Sequence, residues 1–151
     1  MKLSNSFDIS ASALTAQRLR MDVIASNIAN SDVTRARFVD GRWEPYRRKM
    51  VVMEPVNVEN NFKNALNRAL NQETGQGVKV TRIVNDRSPY KRVYDPTHPD
   101  ADENGYVLLP NVDILKEMVD MIAATRSYEA NVTALNASKA MFMKALEIGS
   151  R

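Results

Sequence analysis

The sequence predicts a mainly α fold with a small β-rich middle: a long helix at each end and a short β-hairpin and loop region between them. Three observations carry this. An apolar stripe of helical period runs through roughly the first 30 residues, and a longer one runs through about the last 40. The segment between them holds four of the five glycines and all six prolines. The predicted divisions are residues 1–32, 33–110 and 111–151.

In the first division Leu14, Met21 and Ile28 recur every seven residues, with Ile24 between the last two. Ala16 and Val23 widen the stripe, and the absence of Pro and Gly favours one long helix from about Ser6 to Asn30. Ser6 is a candidate cap, but Ile9 stands where a capping box has Glu or Gln. Asn30, Ser31 and Asp32 are residues that end helices.

The middle division reads as strands and loops. Tyr46 to Met53 and Val78 to Val84 are rich in β-branched and aromatic residues, and Arg92 to Tyr94 and Tyr106 to Leu109 are shorter candidates. Phe62 to Leu70 carries a weak helical pattern that Gly75 and Gly77 end. Asp95 to Gly105 is an acidic stretch with Pro96 and Pro99, which predicts an ordered loop.

In the last division Ile114, Met118, Met121, Thr125, Tyr128, Val132, Leu135, Lys139, Phe142 and Leu146 step by alternating fours and threes. That is a coiled-coil seam with two polar positions, Thr125 and Lys139, of the kind that sets register. Asn111 or Asp113 can cap the helix, which the pattern carries from about Val112 to Ile148, and Gly149 can end it. Some 35 helical residues span roughly 50 Å, more than the middle segment can cover. The two stripes are expected to pack antiparallel as a coiled coil, with the remaining apolar faces meeting other chains. Subunits joined through different patches form rings or open helical polymers.

The chemistry-bearing residues are sparse. The chain has no cysteine, which removes disulfides and thiolate metal sites. His98 is the only histidine and has no second imidazole to share a metal. Asp100, Asp102, Asn104 and Gly105 open like a calcium loop, but the sixth residue after Gly105 is Asn111 where an acidic ligand is required. No phosphate loop, catalytic triad or nucleophile elbow is present. The expectation is therefore no enzyme, no metal and no cofactor. The net charge of +3 is mild. Two basic clusters stand in the middle, one from Arg35 to Lys49 around Trp43 and Tyr46 and one from Lys79 to Arg92. They permit a nucleic-acid-binding module as the rival reading, although such alternation more often marks a solvated strand face. Nothing approaches 18 consecutive apolar residues, and no signal peptide is visible at the N-terminus.

Three segments together resemble a known family. They are ISASALTAQRLRMDVIASNIANSDVTR (residues 9–35), YDPTHPDADENGYVLLPNVDILKEMVDMI (94–122) and RSYEANVTALNASKAMFMKALEIG (126–149). The chain resembles the bacterial flagellar basal-body rod proteins. SNIAN (Ser26 to Asn30) resembles the motif of the rod and hook proteins generally, and GYVLLPNVD (Gly105 to Asp113) after YDPTHPDADEN is most like the proximal-rod branch.

The resemblance implies a structural subunit of the proximal rod, the drive shaft that transmits torque and encloses the export channel. It implies terminal helices in an inner layer and a middle segment further out. It implies export by the flagellar type III apparatus without a cleaved signal, assembly in the periplasm, and partners among copies of itself, other rod proteins and possible surrounding rings. Another rod subunit is the nearest alternative within that class. The expected assembly positions are Leu14, Met21, Ile24 and Ile28 on the first helix and Ile114, Met118, Met121, Tyr128, Val132, Leu135, Phe142 and Leu146 on the last. Asn27 and Asn30 are expected to turn the chain out of the inner layer, their amides pairing with backbone groups that the helix end leaves free. Arg47 and Arg48 are expected to pair across subunits with the acidic loop at Asp100 and Asp102.

Overall fold

The two terminal helices of the computed structural model are α1, Leu3–Ala29, of 27 residues, and α2, Ile114–Gly149, of 36 residues. The structure describes residues 3–39, 41–56 and 77–149. The weak helical pattern at Phe62 to Leu70 therefore lies outside the described residues.

Both helices have identifiable ends. α1 starts ahead of Ser6, because nothing in Ser4, Asn5 and Ser6 forbids helix and no glycine or proline stops it. Its last turn is closed by Asn30, whose backbone N–H and side-chain Nδ2 both donate to the Ser26 carbonyl, at 3.2 and 2.7 Å. α2 is capped by Asp113: its Oδ1 accepts the Leu115 amide at 3.1 Å and the Lys116 amide at 3.5 Å. Such a carboxylate satisfies orphan donors and complements the positive end of the helix dipole. Asn111, the other candidate cap, is used elsewhere.

Between the helices lie β1, Arg37–Val39; β2, Arg42–Glu44; β3, Lys49–Pro55; β4, Val78–Asn85; β5, Lys91–Tyr94; and β6, Tyr106–Leu109. They form three two-stranded sheets, β1 with β2, β3 with β4 and β5 with β6. β1 and β2 are antiparallel, with Phe38 opposite Trp43. β5 and β6 are antiparallel, with Val93 opposite Val107 and Tyr94 opposite Tyr106. The β1–β2 hairpin was absent from the expected strands. The sequence signal for it is the Asp-Gly dipeptide at 40–41 flanked by Phe38, Val39 and Trp43, since glycine readily supplies the positive φ of a tight hairpin turn. Gly41 has φ 79°.

The chain divides into two units. The first comprises Met1–Leu19, Val52–Arg82 and Ala124–Arg151. Its buried described side chains are small: Ser10, Ala16 and Ala124. Here the start of β4 is tied to α1, because Ser12 Oγ accepts the Val78 amide at 3.1 Å and donates to the Ile9 carbonyl at 2.7 Å. A Cβ at Gly77 would stand 2.5 Å from that oxygen.

The second unit comprises Arg20–Val51 and Ile83–Ala123. Its apolar core is Val23 and Ile24 from α1, Tyr46, Val107 from β6, Pro110 and Val112. Two polar side chains are buried among them, Asn27 at 1% and Glu117 at 0% exposure. A charge buried this deeply is stable only when paired and hydrogen-bonded.

Candidate functional site

The buried polar groups of the second unit form one connected node, built from the end of α1, the start of β3 and the start of α2. Asn27 uses its whole side-chain amide. Nδ2 donates to the Lys49 carbonyl and to Glu117 Oε2, both at 2.9 Å. Oδ1 accepts the Lys49 amide at 2.9 Å and the Tyr46 hydroxyl at 3.0 Å. Toward Lys49 the side chain acts as one more residue of a neighbouring strand, satisfying both backbone groups where β3 begins. The sequence reading placed its partners at the end of its own helix. The structure corrects this: the side chain reaches past the helix end to the first residue of β3, whose amide and carbonyl it satisfies together.

Glu117 is held from its other side by Arg48. Arg48 Nε donates to Glu117 Oε1 at 2.6 Å, and its terminal nitrogens lie 3.6 Å from Asp86 and 3.4 Å from Asp120. Burial pulls the Arg48 guanidinium down, but the hydrogen bond and charge of Glu117, then Asp86 and Asp120, outweigh it and hold the group above its ordinary value. Asp86 is lowered, first by hydrogen bonds from the Ser88 hydroxyl and amide and then by Arg48. Asn111 closes the node: its Oδ1 accepts the Arg48 amide at 2.8 Å, and its Nδ2 reaches the Asp86 and Ser88 carbonyls. Arg20 adds a half-exposed ion pair to Asp120 at 3.6 Å.

These partners all belong to the same chain. Arg47 is likewise committed: its guanidinium stacks 4.5 Å from the centre of the Tyr90 ring and donates to the Tyr90 hydroxyl at 3.1 Å. In the acidic loop, Asp100 is paired with Arg35 and accepts the Thr34 hydroxyl, and Asp102 lies 3.8 Å from Arg92. The Asp100 carboxyl is lowered by these contacts, Arg35 first and Thr34 next. Arg47, Arg48, Asp100 and Asp102, the residues expected to pair across subunits, thus each have a partner within the chain. His98 Nδ1 accepts the Asp100 amide at 3.0 Å and so helps fold its own loop.

On α1 the expected assembly positions Leu14, Met21 and Ile28 are half-buried and Ile24 is buried. On α2 the seam is displaced. Met121, Tyr128, Val132 and Leu135 are half-buried, whereas Ile114 and Met118 are 43% and 51% exposed and Phe142 and Leu146 are 39% and 54% exposed. Burial instead follows Glu117 and Ala124, seven residues apart on one helix face. At 3.6 residues per turn, Ile114 and Met118 stand roughly 60° and 100° around the helix from Glu117. The node turns Glu117 inward, and those two side chains turn outward with it. Leu115, Val119 and Ile122 lie on the far side, at 76%, 66% and 60% exposure. The first turns of α2 therefore invert the usual arrangement, with a carboxylate inside and aliphatic side chains outside.

Long terminal helices, a small strand-rich middle and apolar side chains left outside, with no chemistry gathered among the described residues beyond the node, are the anatomy of a structural subunit. Two family models match within the chain, one described as a flagella basal body rod protein over residues 7–37 and one as the C-terminal region of flagellar basal body rod FlgEFG proteins over residues 103–148. The chain is 57% identical to the flagellar basal-body rod protein FlgC of Bacillus subtilis, with 99% of each chain covered. It is 48% identical to FlgC of Borreliella burgdorferi over 98% of each and 45% identical to FlgC of Salmonella typhimurium over 99% of each. The chain belongs to the FlgC family of flagellar basal-body rod proteins, structural subunits of the proximal rod.

Proposed function

We propose that this rod subunit polymerises through its terminal helices, which pack antiparallel as a coiled coil in the inner layer of the drive shaft around the export channel, with residues 33–110 further out. The observation that carries the reading is the end of α2, where Met141, Phe142, Met143, Leu146 and Ile148 are 39–73% exposed within one short stretch. An apolar run of this density on a single chain is a surface awaiting a partner. The half-buried positions Leu14, Met21, Ile28, Tyr128, Val132 and Leu135 form the seam inside the subunit. Ile114, Met118, Phe142 and Leu146 face neighbours.

Assembly in the periplasm after type III export completes this reading, with rod proteins, the export apparatus and the surrounding rings as partners. Torque transmission asks for many contacts and no catalysis. The internal pairs of Arg48, Asp100 and Asp102 would have to be exchanged before they could bind another chain, so the assembly energy belongs to the apolar faces.

Hydrogen exchange of the free chain and of isolated basal bodies tests this. Amides of residues 141–149 should exchange quickly in the free chain and be slowed at least tenfold in the basal body. Equal rates in both states would rule the reading out.

A further inference from the structure

We propose that Asn104 is a self-modification site of the chain: its side-chain amide is lost to attack by the Gly105 backbone nitrogen, and Asp102 sets the rate by holding the turn closed.

Asn104 and Gly105 are the single Asn-Gly pair in the sequence. Asparagine is among the thermally labile residues, and the residue that follows it governs how fast it reacts. The backbone nitrogen of that residue attacks the carbonyl carbon of the Asn side chain. A C–N bond forms, the bond to the side-chain nitrogen breaks, and ammonia leaves with the proton that the backbone amide gave up. The cyclic imide then takes up water at either carbonyl and opens to Asp or to isoaspartate, in which the main chain runs through the side-chain carbon. Glycine has no Cβ to obstruct the approach. The Asn104 side chain is exposed and makes no hydrogen bond among the described residues, so its carbonyl is open to attack.

The attacking nitrogen is held back. Asp102 binds three successive amides of the turn, those of Asn104 and Tyr106 on its Oδ1 and that of Gly105 on its backbone carbonyl, each at 2.9 Å. The Asp102 amide in turn donates to the Tyr106 carbonyl at 2.9 Å, and the Asp95 amide donates to the Gly105 carbonyl at 3.0 Å. The Gly105 nitrogen attacks only after it has lost its proton to a base and turned toward the Asn104 side chain. Both steps need its N–H released from Asp102. The second also needs the peptide to rotate about the Asn104 Cα–C bond, which the bonds at Gly105 and Tyr106 resist. Deamidation therefore requires the same local opening as hydrogen exchange of the Gly105 amide.

The position makes the change disruptive. β5 and β6 pair beside this turn, with Tyr94 opposite Tyr106 and Val93 opposite Val107, and Val107 is 2% exposed in the core of its unit. Isoaspartate lengthens the main chain by one carbon inside the turn, and either product adds a carboxylate next to Asp102 and Glu103. By closing the turn, Asp102 keeps the hairpin that carries Val107 from unmaking itself.

The test incubates the chain in mildly alkaline buffer, folded and in urea, and follows deamidation by mass, with fragmentation separating Asn104 from Asn111. In urea the parent, Asp102→Ala and Asp102→Asn should react at Asn104 at similar rates, and faster there than at any other asparagine. Folded, the parent and Asp102→Asn, which keeps a side-chain oxygen for the two amides, should be slowed by about tenfold or more, and Asp102→Ala by far less. In the folded parent the slowing should follow the protection of the Gly105 amide in hydrogen exchange, a comparison that stands even where Asp102→Ala fails to fold. Equal rates at Asn104 in the folded and unfolded parent overturn the proposal. So does a folded Asp102→Ala as slow as the parent, or a protected Gly105 amide beside rapid deamidation. Folded Asp102→Asn reacting as fast as folded Asp102→Ala would put the effect on the charge of Asp102 and overturn it too. Faster reaction at another asparagine in urea overturns the assignment of the site.

Discussion

Asn27 has a side chain of two donors and two acceptor positions, and the fold uses all four. Replacing it with Ala strands the Lys49 amide and carbonyl and removes one of the bonds to Glu117. Each buried polar group left unmet costs about 1–3 kcal/mol, so Asn27→Ala should lose about 3 kcal/mol in urea unfolding with an unchanged slope. Asn30 makes one local bond at a half-buried helix end, and Asn30→Ala should lose about 1 kcal/mol or less. Equal losses would show that the node is not what Asn27 serves. Asp86 gives a pH signature. Its native carboxyl is lowered from an ordinary 3.8, so its folded state binds fewer protons than its unfolded state. The stabilisation is present above that ordinary value and is lost as pH falls through the depressed native one. Asp86→Asn should flatten the fall in stability at acid pH, measured as unfolding midpoint against pH. The residue scale also shows the limit of a linear reading. Asn27 stands out within SNIAN, but its partners Lys49 and Glu117 are 22 and 90 residues away.

Among the elements, the hairpins report turn chemistry. Gly105 has φ 77°, and a Cβ there would come within 3.0 Å of the Tyr94 ring and 3.2 Å of Pro96. Gly41 has φ 79° with nothing within 4 Å of its would-be Cβ. Both substitutions to Ala carry the backbone cost of a left-handed conformation, about 1–2 kcal/mol. Gly105→Ala adds a steric clash against the β5–β6 hairpin, so its unfolding midpoint should fall further than that of Gly41→Ala. Identical shifts would show that the Tyr94 ring yields freely. The helices were legible because a period of 3.6 survives any later packing. β3 to β6 were legible from β-branched and aromatic runs. β1 and β2 have three residues each, too few to show alternation, and only the Asp-Gly signal pointed to them.

For the whole molecule, the node lies entirely in the unit made of Arg20–Val51 and Ile83–Ala123. That unit holds its own apolar core and its own satisfied charges. Terminal helices should therefore not behave uniformly in the free chain. Amides of residues 20–29 and 116–123 should be protected well above those of 141–149, and uniform fast exchange along both helices would count against a node that orders them before assembly. Salt should act weakly on polymer formation, because Arg47, Arg48, Asp100 and Asp102, the charges expected to reach other chains, already have partners within the chain and the contacts invoked are apolar. Weak salt dependence of rod assembly, measured by sedimentation of basal-body fractions, is the expected result. A steep loss between low and physiological ionic strength would return the assembly energy to charge pairs.

The sequence by itself determined that two long helices enclose a short strand-rich segment, and its motifs determined the family, since both are written in local period and residue order. It placed one apolar seam on α2, through Ile114, Met118 and Met121, although Leu115, Val119 and Ile122 follow the helical period equally well. Helical period alone cannot rank two such stripes, because each satisfies it. Only the tertiary structure decided, by setting Arg48 and Asn27 where a carboxylate had to enter. A largely buried guanidinium demands its counter-charge more strongly than a few aliphatic side chains demand cover, so Glu117 turned inward and Leu115, Val119 and Ile122 were left exposed.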